Sequence, residues 1–201
     1  NPSIQSAGYF YEGTALYRLG RPDEAMKTLA QAIERFGSSE LADVQHQVAK
    51  ARNNMIVAAM HLGRHEEAIS LIGTGLRQLA RVPGEKALDL RRKLMINKGN
   101  ALSRLGRNVE AIAVYDDVIA DLQGADPEAS KARLAHAIYN KACAFAQMGK
   151  VNETVKCLEE SRAIAITADT ENLITDKDFE PVRNRPTFQK FLQRHGLDLE
   201  A

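Results

Sequence analysis

Residues 15–26 read ALYRLGRPDEAM. The pattern returns without a gap as AAMHLGRHEEAI at 58–69, ALSRLGRNVEAI at 101–112 and AFAQMGKVNETV at 144–155. The central glycines Gly20, Gly63, Gly106 and Gly149 follow one another at 43-residue intervals. Five residues before each stands Ala15, Ala58, Ala101 or Ala144, and one before stands Leu19, Leu62, Leu105 or Met148. Arg21, Arg64, Arg107 and Lys150 follow directly, then Glu24, Glu67, Glu110 and Glu153. Ala25, Ala68 and Ala111 come next, with Thr154 breaking the series. Fixed spacing with this many matched positions marks an internal repeat, which decides the fold before any local reading.

Each unit reads as two helices around a tight turn. Apolar residues before the glycine recur at helical spacing, as in Leu94, Met95, Ala101, Leu102 and Leu105. The glycine takes the left-handed position past the helix end, which other residues reach only at about 1–2 kcal/mol. Pro22-Asp23-Glu24 and Asn152-Glu153 are expected to open the second helices with a capping side chain and an acid in the first turn. The recurrent alanines are expected where helix axes cross closely, so that a bulky residue at Ala68 or Ala111 overpacks the crossing. The expected helices lie near 5–19, 23–36, 40–62, 66–80, 86–105, 109–122, 128–148 and 152–165.

With its glycine-punctuated helix pairs, the sequence resembles a tetratricopeptide repeat array. The resemblance rests on LGR-x-x-EA, on the earlier glycines Gly13 and Gly99, and on apolar positions such as Leu29, Ile72, Tyr115 and Leu158. The period departs from the 34 residues usual in that family. The extra residues, Glu40–Lys50 and Glu85–Lys93 among them, are expected to lengthen the first helix of each pair, as in longer-period bacterial arrays. The large aromatic usual early in that helix is present only as Tyr9; Arg52, Met95 and Ile138 stand in its place later. The resemblance implies an all-α, right-handed superhelix of four helix pairs over residues 1–166. Residues 167–201 are expected to form a C-terminal cap with a short helix near 187–195. There Phe188, Phe191 and Leu192 make an apolar stripe between Pro186 and Gly196, and DFEPVRNRPTFQKFL resembles closing segments of other arrays. A last repeat needs such cover for its open apolar face.

The resemblance also implies where a partner would bind. First helices of successive repeats line a concave groove, and carrying the family's outward positions onto this chain singles out Lys50, Asn53, Lys93, Asn100, Arg104 and Tyr139. The wider set of groove positions includes Phe10, Thr14, Tyr17, Arg18, His61, Cys143 and Gln147, and contains no acid. Such a lining favours an acidic or carboxylate-bearing peptide through charge-assisted hydrogen bonds. The expectation is therefore a non-enzymatic protein-interaction scaffold. The alternative is a C-terminal sensor or oligomerisation arm of a larger enzyme or regulator, its active domain preceding Asn1. Asn54, Asn97 and Asn140 recur at the same spacing and are read as structural hydrogen-bonding residues. The family's carboxylate clamp is not matched, since its positions read Phe10, Thr14, Asn54, Lys93 and Asn97, or Asn53, Val57, Asn97, His136 and Asn140 one repeat later.

Composition narrows the remaining classes. The chain has 201 residues, 27 Lys+Arg against 26 Asp+Glu, and a net charge of +1. An obligate nucleic-acid binder would carry a basic excess. No apolar run is long enough to span a membrane, and two cysteines fit a reducing, cytoplasmic compartment. No paired carboxylates, activated nucleophile or phosphate loop is present, so no catalytic residue, cofactor or metal site is expected. His61 and His65 have metal-pair spacing, but the turn at Gly63 should keep them off one helical face. Cys143 and Cys157 read as small core residues, Gly73-Thr74-Gly75 as a crowded or weakened stretch of helix, and Arg91-Arg92-Lys93 as a solvated face. The N-terminal end, lacking a cap, is expected to stack on a preceding repeat or on a second copy.

Overall fold

The computed structural model describes residues 1–80, 82–165 and 173–197. Among them there is no strand. Eight long helices follow in chain order: α1 Pro2–Arg18, α2 Pro22–Phe36, α3 Ala42–His61, α4 His65–Leu79, α5 Glu85–Arg104, α6 Asn108–Gln123, α7 Pro127–Gln147 and α8 Val151–Ile164. A 3-10 turn at Lys177–Phe179 and two short helices, α9 Glu180–Arg183 and α10 Pro186–Arg194, close the described chain. It divides into two compact units, residues 1–101 and 102–201. The fold is all-α, a succession of antiparallel hairpins. The expected boundary between repeats and tail, at 166/167, lies outside the described residues.

The four turn glycines hold φ of 73°, 72°, 74° and 71° at Gly20, Gly63, Gly106 and Gly149. None would meet a neighbour through an added Cβ, so each is required by its backbone alone. The amide after each glycine donates back to a carbonyl five residues earlier: Arg21 to Leu16 at 3.0 Å, Arg64 to Ala59 at 2.9 Å, Arg107 to Leu102 at 2.9 Å and Lys150 to Phe145 at 3.0 Å. This Schellman closure satisfies carbonyls that the helix end would leave bare.

The same closure corrects one expectation. Asp23 and Asn152 do not cap; the N-caps of α2 and α8 are Arg21 and Lys150, and neither makes a side-chain capping bond. The turn leaves a single residue between glycine and helix, and in every repeat that residue is basic. In the first and third repeats it pairs with the acid three residues on, whereas Lys150 sits 5.8 Å over the Phe145 ring. Arg21 donates to Glu24 at 2.6 and 2.5 Å, and Arg107 to Glu110 at 2.7 Å through both guanidinium nitrogens. Arg64 instead reaches Asp23 of the preceding hairpin at 2.6 Å. Acids do stand in the first turn of α2, α4, α6 and α8, where the helix dipole favours them.

Unit 1 packs α1 on α2 and α3, and α3 on α4. Ala25 and Ala68 are fully buried at the crossings, as Ala111 is in unit 2. Gly13 marks the closest approach: a Cβ there would lie 2.6 Å from the Leu29 side chain. Around these contacts Met26, Ile56, Ala59, Ile72 and Leu94 form a core. Thr154, the exception in the alanine series, is buried and returns its hydroxyl to the Lys150 carbonyl at 2.8 Å, so the polar atom is satisfied within its own helix.

Unit 2 packs α6 on α7 and α7 on α8, and the described tail continues that core. Phe179, Val182, Phe188, Phe191 and Leu192 are at most 1% exposed and join Ile138, Ala142, Val155 and Leu158. Phe179 stacks on Phe188 with ring centroids 5.6 Å apart. Burial of each such ring stabilises by about 1.5–3 kcal/mol. Arg194 of α10 is 2.9 Å from Glu159 of α8. The expected short helix runs over Pro186–Arg194, and Gly196 at φ 65° ends it.

Candidate functional site

Four of the expected groove residues lie on the first helices of unit 1, Lys50 and Asn53 on α3 and Lys93 and Asn100 on α5. Lys50 on α3 is exposed, and its ammonium sits 5.8 Å above the Phe10 ring of α1, a cation–π geometry. Asn53, one turn on, is half-buried, and its Oδ1 meets no donor among the described residues. Lys93 on α5 is exposed and pairs with Asp89 on the same helix at 2.9 Å. Asn100 is half-buried near the end of α5. Tyr17 and His61 hydrogen-bond at 2.8 Å between α1 and α3. Asn54 has the structural role read for it: its Nδ2 donates to Thr14 Oγ1 at 2.9 Å. Asn140, its counterpart in unit 2, instead meets His136 of its own helix at 3.1 Å.

In unit 2 the face of α7 that carries Tyr139 and Gln147 is occupied. The tail lays Asp176 and Asp178 against it, and the expected groove residues there hold both carboxylates. Tyr139, 4% exposed, donates to Asp176 at 2.6 Å. Arg104 donates to Asp178 at 3.3 Å and Gln147 to the same oxygen at 3.0 Å. Asp176 also accepts the Asp178 amide at 2.9 Å, which caps the 3-10 turn, and Arg183 donates to its carbonyl at 2.6 Å. Phe179 lies edge-on to Tyr139 with centroids 5.7 Å apart. Tyr139 is thus a buried anchor for the chain's own acidic segment. Acids reach the expected groove residues from two sources: Asp89 on α5 pairs with Lys93, and Asp176 and Asp178 arrive from the tail. The signal for them in the sequence is Asp176-Lys177-Asp178 immediately before a large aromatic.

Other chemistry is accounted for by packing. Cys143 approaches Asp176 and Asp178, one ligand atom of each lying within 4.8 Å of the others. Both carboxylates already serve Tyr139, Arg104 and Gln147, and a guanidinium on one of them opposes a further cation. Cys143 and Cys157 are buried and form no disulfide, and burial pushes the Cys157 thiol up to about 11. His61 ends α3 while His65 begins α4, with its Nδ1 buried and unpartnered among the described residues. Gly75 is crowded, as expected, between Leu94 and Arg52. Arg91-Arg92-Lys93 is not uniformly solvated: Arg92 is 8% exposed and pairs with Glu85 at 2.8 Å. No described helix is long and apolar enough to cross a membrane.

Residues 10–84 match the family model for the tetratricopeptide repeat. No curated protein matches the chain. Among solved structures, BtubC (BKLC) from P. vanneervenii superposes with a TM-score of 0.68 at 20% identity, over 82% of this chain and 64% of that one. A Rap protein complexed with Competence and Sporulation Factor gives 0.67 at 15% identity, over 98% of this chain and 48% of that one. A Podosopora anserina protein of nearly identical TPR-like repeats gives 0.60 at 18% identity, over 98% and 89%. The matched region therefore spans about half to two thirds of the first two proteins. At these identities the likeness is one of fold. The family match covers residues 10–84, and over the rest of the chain the likeness to tetratricopeptide-repeat structures is one of fold.

Proposed function

We propose that this array is a non-enzymatic protein-interaction scaffold that holds an acidic peptide segment on the inner face of its first helices. The observation that carries this reading is intramolecular. In unit 2 the first-helix side chains Arg104, Tyr139 and Gln147 take two carboxylates and an aromatic from an irregular segment of the chain. That is the recognition chemistry expected for a partner, with charge-assisted bonds around a buried aromatic anchor. Lys50, Asn53, Lys93 and Asn100 in unit 1 are the residues proposed to meet a partner directly. Arg104 and Tyr139 belong to the same chemistry and are engaged by Asp176 and Asp178, which a partner would have to replace. The Rap protein, of similar fold and solved in complex with Competence and Sporulation Factor, is in keeping with this use of the architecture. Two cysteines that form no disulfide fit a cytoplasmic setting.

The test is a Lys50→Glu/Lys93→Glu double variant, titrated with a fluorescein-labelled acidic decapeptide and with its Asn/Gln counterpart. The acidic peptide should bind wild type, weaken with added salt, and lose at least about tenfold in affinity on the double variant, a difference of about 1.4 kcal/mol. The fold should be little affected, because losing the Lys93–Asp89 pair and setting two like charges there costs only about 0.4–1 kcal/mol together. Equal binding by wild type and variant removes the assignment. Arg104 is left intact, since an acid there would repel Asp178 and disturb the tail as well.

A further inference from the structure

Inside unit 1, between the N-terminal halves of α3 and α5 and the end of α4, lies a cleft of about 620 Å³. That volume falls in the range of sites for single organic ligands. Much of its wall is hydrocarbon, from Leu79, Ala87, Leu90 and Leu94. Arg52 lines it too, although it is only 6% exposed. Among the described residues Arg52 has no ion-pair partner and no hydrogen-bond acceptor. Burial depresses its pKa, with no carboxylate acting in the other direction; an arginine nevertheless stays charged. The Arg52 nitrogens are not among the fully buried unpartnered atoms, so the guanidinium opens into the cleft; a largely desolvated cation without a counter-charge is unfavourable, so its place there asks for an anionic ligand.

The cleft is shaped around that side chain. A Cβ at Gly75 would stand 3.2 Å from Arg52 Cδ and 3.0 Å from Leu94 Cδ1, so the glycine makes room for the arginine stem. At the same distance before the turn glycine, the later repeats carry Met95 and Ile138. The charge is specific to this hairpin. Lys86 and His46 also line the space, and His46 is held toward its neutral form by desolvation and by Lys50 and Lys86. Asp43 is the one carboxylate among the lining residues; it is exposed and engaged by Ser3. Arg52 and Lys86 against Asp43 leave one net positive charge, which balances a monoanion better than a phosphate dianion.

We propose that this cleft binds a small carboxylic acid with an apolar body, Arg52 taking the carboxylate through its two-pronged face and Leu79, Leu90 and Leu94 packing the hydrocarbon. The site is independent of the peptide face. Octanoate is the probe, with octan-1-ol as its uncharged counterpart, titrated calorimetrically while the Arg52 Nε–H resonance is followed by NMR. Octanoate should bind at least tenfold more tightly than octanol and move the Arg52 resonance. Arg52→Met should lose that preference and, relieved of the buried charge, melt at a higher temperature without ligand. Arg52→Lys should bind octanoate at intermediate affinity. Octanoate binding no better than octanol, an unmoved Arg52 resonance at saturation, or equal binding by Arg52→Met would each overturn the proposal. The resonance in wild type decides the matter even if a variant folds poorly.

Discussion

Tyr139 and Asp176 give the sharpest test of how the tail is held. The phenol is 4% exposed and its hydroxyl donates at 2.6 Å to a carboxylate that also caps the following turn. A hydrogen bond to a charged group contributes about 1.5–3 kcal/mol, and an orphaned buried hydroxyl costs about 1–3 kcal/mol. Asp176→Ala should therefore destabilise unit 2 by about 2–4 kcal/mol, adding the lost cap of about 1 kcal/mol. Tyr139→Phe leaves a half-buried carboxylate that water can serve, and should cost about 1 kcal/mol. The double variant should cost less than the sum, with a coupling of about 1–2 kcal/mol. Arg104→Ala is the internal control. Its side chain is 59% exposed beside Asp178, so its pair is worth about 0–1 kcal/mol. Urea unfolding followed by circular dichroism, with hydrogen exchange of residues 176–188 assigning the loss to the tail, measures all four. Additive single variants, or an Arg104→Ala cost equal to that of Asp176→Ala, would refute the reasoning.

Other outcomes follow from the same structure. Gly63→Ala should cost about 1–2 kcal/mol from its positive φ alone, whereas Gly13→Ala should cost about 1–3 kcal/mol through Leu29. Leu29→Ala should relieve only the second, as thermal denaturation of the double variants would show. Ala68→Leu should lower stability by about 1–3 kcal/mol by overpacking the α3–α4 crossing; an unchanged melting temperature would mean the crossing is looser than its full burial implies. Because the folded Cys157 thiol titrates at about 11 against an ordinary value of 9.0, its contribution to stability is complete below pH 9. It should be lost as pH rises through about 11. Alkylation at pH 8 should accordingly reach Cys157 only on unfolding, which mass spectrometry would register.

The hairpins are legible in the sequence because their causes are local. A positive φ after a helix selects glycine at Gly20, Gly63, Gly106 and Gly149, and a tight crossing selects alanine at Ala25, Ala68 and Ala111. Phe188, Phe191 and Leu192 likewise announce a covering helix by their spacing. The capping of α2 and α8 escapes such a reading because Asp23 and Asn152 are good capping types, whereas the Schellman turn fixes Arg21 and Lys150 at that position. Its place in α7 assigns Tyr139 to an open groove. Its burial depends on Asp176 and Phe179, some forty residues away, and no periodicity carries that contact. Arg52 reads in the sequence as a substitute for a core aromatic. Its lack of a counter-charge emerges only when α3, α4 and α5 close around it.

That the inner side chains of the first helices recognise carboxylates is most directly tested by mapping an acidic peptide onto the isotopically labelled protein by NMR. Saturable shifts should concentrate at Lys50, Asn53, Lys93 and Asn100 and be absent with the Asn/Gln peptide. Shifts confined to the turns around Gly20, Gly63 and Gly106, or equal shifts with both peptides, would contradict it.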